Sequence, residues 1–167
     1  NGGGDQDIEL RAWSPTSQAL GGIVVKAFDA SPGVGGGIDS FELASLTNGN
    51  IALVYSDADS ATDSDIDVQI RDGSGALIVS KAVVSGAVRN DDVDIAALQG
   101  GGFVVTWANN GGGNFDILAK LYDASGIALT GNISVATTKA GNQVAPSVVR
   151  LSDDSFVIAW ADSGSAS

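Results

Sequence analysis

Five carboxylates crowd one short stretch of this chain: Asp57, Asp59, Asp63, Asp65 and Asp67. Hard oxygens at that density suit Ca²⁺, which takes about six to eight oxygen ligands from a pliable loop. The spacing is not that of an EF-hand, since no Gly stands at the sixth position and no Glu at the twelfth. The alternative is a solvated acidic turn with Asp65 and Asp67 as outward strand residues. Mutual repulsion among the five favours calcium, because a divalent cation removes it. Asp91, Asp92 and Asp94 form a second, weaker group.

Two aromatic sets are the other candidates. Tyr55, Trp107 and Trp160 recur at one strand position and are expected to fill a core. Trp13 and Tyr122 match one another in a different strand, where Arg71 replaces the aromatic. That variability points to a surface position and makes Trp13 and Tyr122 candidate platforms for a sugar ring. The chain has no His and no Cys, so Ser-His-Asp and Cys-His centres, disulfides and the commonest zinc sites are excluded. Glycosidases need only two carboxylates, but no spacing selects a pair, and the chain is expected not to be an enzyme. The glycines of residues 33–37 lack the Lys and helix of a phosphate loop. Asn132-Ile133-Ser134 fits a glycosylation acceptor and is read as incidental.

The elements that position these residues come in three copies. Residues 41–55, 93–107 and 146–160 superimpose without a gap, at offsets of 52 and 53 residues. Leu46, Leu98 and Leu151 correspond, as do Ile51, Phe103 and Phe156. A second block repeats as Asp7-Ile8-Glu9, Asp65-Ile66-Asp67 and Asp116-Ile117-Leu118. Both blocks contain runs that largely alternate apolar and polar residues, the period of a half-buried strand. Two copies of the second block run into turns, Asp72-Gly73-Ser74-Gly75 and Asp123-Ala124-Ser125-Gly126. The chain is therefore expected to be one all-β repeat domain over 1–167, with units near 7–62, 65–113 and 116–167. Each unit reads as four short antiparallel strands, and residues 109–116 read as the linker between the last two.

In sequence these copies resemble a repeat of large secreted bacterial proteins, calcium-rich and of hemolysin or adhesin type, exported by type I secretion. The likeness is closest over residues 116–160. It implies propeller-like blades, an extracellular bacterial location and calcium binding. Three blades are too few for the rings of 4 to 8 that close propellers. Two copies could complete a six-bladed ring, the chain could be part of a longer parent polypeptide, or the units could close as a threefold β-trefoil or β-prism.

Twenty acidic against 8 basic residues, a net charge of −12, disfavour nucleic acid as a partner. No apolar run approaches the roughly 18 residues that cross a bilayer as a helix, so membrane insertion is not expected. A chain opening at Asn1 without a basic-then-apolar leader reads as a processed form or an excised piece. The expected function is a non-catalytic extracellular structural or adhesive module, calcium-stabilised and self-associating. A lectin-like propeller oligomer is the alternative, and an accessory fragment of a secreted hydrolase the third.

Overall fold

The structure is a computed structural model and describes residues 7–21, 25–27, 37–137 and 140–164. Its described residues form β-strands and turns, and among them no helix is long and apolar enough to cross a membrane. The first full sheet comprises β5 (Gly37–Ser45), β6 (Ile51–Ser60), β7 (Asp63–Arg71) and β8 (Leu77–Val84) in that spatial order. The second comprises β9 (Asn90–Ala97), β10 (Phe103–Asn109), β11 (Asp116–Tyr122) and the short β12 (Ile133–Ser134). Both are antiparallel meanders. A C-terminal pair joins β13 (Gln143–Arg150) to β14 (Phe156–Asp162), and an N-terminal pair joins β1 (Ile8–Leu10) to β4 (Val25–Ala27). A small hairpin of β2 (Trp13–Ser14) and β3 (Ala19–Leu20) lies between them in sequence.

The alternation dictates how these layers stack. In β7 the apolar side chains Ile66, Val68 and Ile70 fall on one face, and all three are buried. With Ala44 and Val54 they meet Val93, Ile95, Phe103 and Trp107 of the second sheet. The opposite face of the second sheet offers Ala96, Val104 and Ala119 to Val148, Phe156 and Ile158 of the C-terminal pair. On the far side of the first sheet, Ile8 and Leu10 pack against Leu53 and Tyr55. The first strands of successive sheets are neighbours, β5 against β9 and β9 against β13. Sheets laid face to face with their first strands adjacent are the arrangement of propeller blades, not of a trefoil barrel.

The sheets run out of phase with the units read from the repeats. Residues 110–115, expected to link two units, instead connect β10 to β11 inside the second sheet. The middle unit thus supplies the last two strands of the first sheet and the first two of the second. Repetition establishes the spacing of strands, but hydrogen bonding decides which gaps are crossings between sheets. The described residues accordingly hold two four-stranded sheets and three two-stranded pairs, not three complete four-stranded repeats.

The turns follow from their sequences. Asp72 Oδ1 accepts hydrogen bonds from the backbone N–H groups of Ser74 (2.8 Å) and Ala76 (3.0 Å), and Gly75 takes φ 88°. Asp123 does the same for Ser125 and Ile127, both at 2.8 Å, with Gly126 at φ 75°. These are Asx turns ending in a left-handed glycine. The Ser74 hydroxyl and these backbone donors hold the Asp72 carboxyl below its usual range.

Candidate functional site

The acidic stretch is the β6–β7 hairpin. Asp57 stands opposite Asp65, and Asp67 opposite Tyr55. Alternation places Asp57, Asp65 and Asp67 on the face that looks toward β1, while Asp63 lies at the turn beyond a bulge, opposite Ser60. Asp57 is buried and the other three are half-buried. Asp65 accepts a hydrogen bond from the backbone N–H of Gly86 at 3.1 Å. The side chain of Asp59 lies outside the described residues. Among the described residues no three carboxylates gather closely enough to hold a metal ion. A calcium ion at this hairpin would have to draw Asp57, Asp65 and Asp67 together.

The same face carries a buried polar network that was not singled out from the sequence. Gln69 Nε2 donates to the Tyr55 hydroxyl at 3.3 Å. The Arg71 guanidinium donates through Nε and Nη2 to Gln69 Oε1, and through Nη1 to the carbonyl of Gly75 at 3.0 Å. All three side chains are buried. Burial, reinforced by the neighbouring Asp67 charge, pushes the Tyr55 hydroxyl up to about 12. Next to the network, a small cavity of about 110 Å³ is lined by Leu10, Arg11, Leu43 and Ile51 together with the Gly73–Gly75 turn.

The second acidic group ties sheets together. Asp92 Oδ2 accepts the backbone N–H of Ala145 at 3.0 Å, and Asp94 Oδ2 that of Val148 at 2.7 Å. From the other side, Asp154 accepts the N–H groups of Gln99 and Gly100. One sheet earlier, the Ser40 hydroxyl accepts from Val93 N–H at 3.1 Å. Bulges in β9 and β13 stand at matching places, with that in β5 one residue earlier, and Asp92 and Ala145 both take φ 52°. A bulge bends the strand and re-aims its side chains, here toward the next first strand. Asp91 pairs with Arg89 at 2.6 Å, yet burial keeps its carboxyl above the usual range.

The aromatic residues divide differently from expectation. Tyr55 and Trp107 are buried as core residues, whereas Trp160 remains partly exposed. Tyr122, expected at the surface, is buried instead. Its ring stacks on Phe103 with centroids 5.1 Å apart and an interplanar angle of 11°. The second sheet presses this face onto the first, so the Tyr122 ring is closed to a sugar. Burial raises its hydroxyl to about 12. Arg71, at the matching place, is buried too, so variability here reflects two ways of filling an interface. Trp13 is exposed, at 59%, and is the one member of that candidate pair whose ring a ligand could reach.

No family model matches the chain, and no curated protein is similar to it. Among solved structures, a crystal structure of a thermostable family-43 glycoside hydrolase is similar, with a TM-score of 0.52 at 14% identity. The match covers 81% of this chain and 51% of that one, so the chain spans about half of that structure's length. The likeness concerns fold alone, and that fold is a β-propeller.

Proposed function

We propose that the protein is a non-catalytic extracellular module, structural or adhesive, built of propeller-type sheets and self-associating through them. The observation that carries this reading is the employment of its carboxylates. With no His in the chain, acid-base chemistry would fall chiefly on Asp and Glu. Asp72, Asp123 and Asp153 close turns, while Asp92, Asp94 and Asp154 bind the backbone of neighbouring sheets. The extracellular and bacterial assignments rest on the resemblance of residues 116–160 to secreted repeats. A panel of chromogenic glycosides should show no turnover above buffer. Turnover abolished by a single Asp→Asn substitution would overturn the non-catalytic reading.

Calcium belongs to this reading through the face shared by Asp57, Asp65 and Asp67. The thermal midpoint should be higher in millimolar calcium than in chelator, and equal midpoints would remove the metal from it. A second reading, a glycan-binding module or an accessory part of a secreted hydrolase, is favoured by the exposed Trp13 ring and the fold shared with a glycoside hydrolase. Binding on a glycan array that Trp13→Ala abolishes would establish it.

A further inference from the structure

The chain uses one sheet-to-sheet interface twice and leaves its two halves uncovered at opposite ends. Ala44 and Ala52 of the first sheet meet Val93 and Ile95 of the second, and Ala96 and Val104 meet Val148 in the same way. All seven are buried. One repeat later, Val149 and Val157 hold the places of Ala96 and Val104, yet they are 59% and 49% exposed. One repeat earlier, Phe41 and Leu43 hold the places of Val93 and Ile95 and are 51% and 46% exposed.

The strand edges repeat the pattern. Among the described residues β14 pairs only with β13, whereas its counterparts β6 and β10 pair on both sides. β1 pairs only with β4, whereas β7 and β11 pair on both sides. Open edges accept strands that offer complementary main-chain groups. Within one copy these two edges are not paired among the described residues, and joining them would close a ring of only three sheets, fewer than the 4 to 8 of closed propellers.

We infer that the occupant is a second copy of this chain, joined head to tail, with β14 of one copy taking β1 of the next as its antiparallel neighbour. This rests on the self-associating reading above and supplies its geometry. The composite sheet runs β13, β14, β1, β4, as the second sheet runs β9, β10, β11, β12. The internal repeats specify the register. Tyr55 opposes Asp67 and Trp107 opposes Leu118, so Trp160 opposes Glu9. Ile51 opposes Arg71 and Phe103 opposes Tyr122, so Phe156 opposes Trp13. Glu9, Arg11 and Trp13 then cover the space of about 410 Å³ lined by Ala119, Ile133, Val135, Phe156, Ile158 and Trp160. Val149 and Val157 meet Phe41 and Leu43 of the next copy. A head-to-tail joint forms a ring if its rotation closes. Two copies, each with two full sheets and two halves, give six sheets, within the usual range of about 4–8 blades.

Light scattering after size exclusion tests the joint. The wild-type chain should have twice its 16.7 kDa mass. Leu43→Glu and Val149→Glu, both at exposed positions, should each give single chains with an unchanged circular dichroism spectrum. An equimolar mixture of the two should recover a two-chain species, because one intact joint remains. A wild-type dimer indifferent to Leu43→Glu would overturn the head-to-tail joint and leave self-association standing. A wild-type monomer at high micromolar concentration would overturn both. Register is read separately in this cysteine-free chain: Glu9→Cys and Trp160→Cys copies, mixed and mildly oxidised, should cross-link. Preferential cross-linking of Glu9→Cys to Phe156→Cys would overturn the register.

Discussion

The corresponding faces of the two full sheets use equivalent positions in opposite ways. In the second sheet Phe103, Trp107 and Tyr122 make an aromatic slab pressed onto the first sheet. Neither Trp107 Nε1 nor the Tyr122 hydroxyl has a hydrogen-bond partner there. In the first sheet the same places hold Ile51, Tyr55 and Arg71, and Gln69 links the last two. Lys120, the counterpart of Gln69, reaches across to the Val83 carbonyl at 3.1 Å and lies 5.7 Å from the Tyr122 ring centroid. One backbone register thus supports two interiors, one packed by shape and the other by hydrogen bonding. The apolar version tolerates orphaned polar atoms in return for contact area, while the polar version depends on every link being made.

Truncation should separate them most. Trp107→Ala should cost about 3–5 kcal/mol in denaturant unfolding, the usual range for a buried aromatic. A loss under about 1 kcal/mol would mean that the two sheets do not share this core. Alkali should act on both faces at once. The chain has two tyrosines, Tyr55 and Tyr122, each raised to about 12 by burial. A folded value above the unfolded one of about 10 means that the native state keeps its protons longer. Stability is then intact below pH ~10 and lost as pH rises toward ~12. Absorbance at 295 nm should show no tyrosinate near pH 10 in folded protein; ordinary titration there would place both rings in solvent.

Gln69→Ala should cost about 1–3 kcal/mol, since it strands the Arg71 guanidinium and the Tyr55 hydroxyl in a buried setting. Arg71→Tyr, which installs the residue of the matched position, should lose less. The sharpest contrast is also the smallest. Tyr55→Phe should cost about 1 kcal/mol because it removes the acceptor of Gln69, whereas Tyr122→Phe should be neutral or slightly stabilising because it removes an unpartnered hydroxyl. Equal losses in chemical denaturation would erase the distinction between the two faces.

Much of this was legible in the chain. The correspondence of Tyr55, Trp107 and Trp160 falls on equivalent strands, β6, β10 and β14, and that of Asp65 and Asp116 on β7 and β11. Alternation and turn residues were local signals and yielded strands and Asx turns. The phase of the sheets was not legible, because a periodic sequence carries no mark for where one sheet stops. The burial of Tyr122 was also hidden. Its strand reads as half-exposed, and only the stacking of a second sheet covers the other side. Asp92 and Asp94 read only as a second, weaker acidic group because the N–H groups they accept from lie 53 and 54 residues away. The sequence held a clue to Gln69 and Arg71 in their alternation with Val68 and Ile70, which places both on one face.

The links between neighbouring sheets have a consequence for how such a chain can change. Asp92, Asp94 and Asp154 grip main-chain N–H groups, and so does the Ser40 hydroxyl. A grip on the main chain is indifferent to the side chain at the gripped position, provided that it is not proline. Neighbouring repeats are thereby released from having to mutate in concert at these contacts. Whole repeats can be duplicated, deleted or exchanged with these links intact, which makes repeat number an easily varied trait.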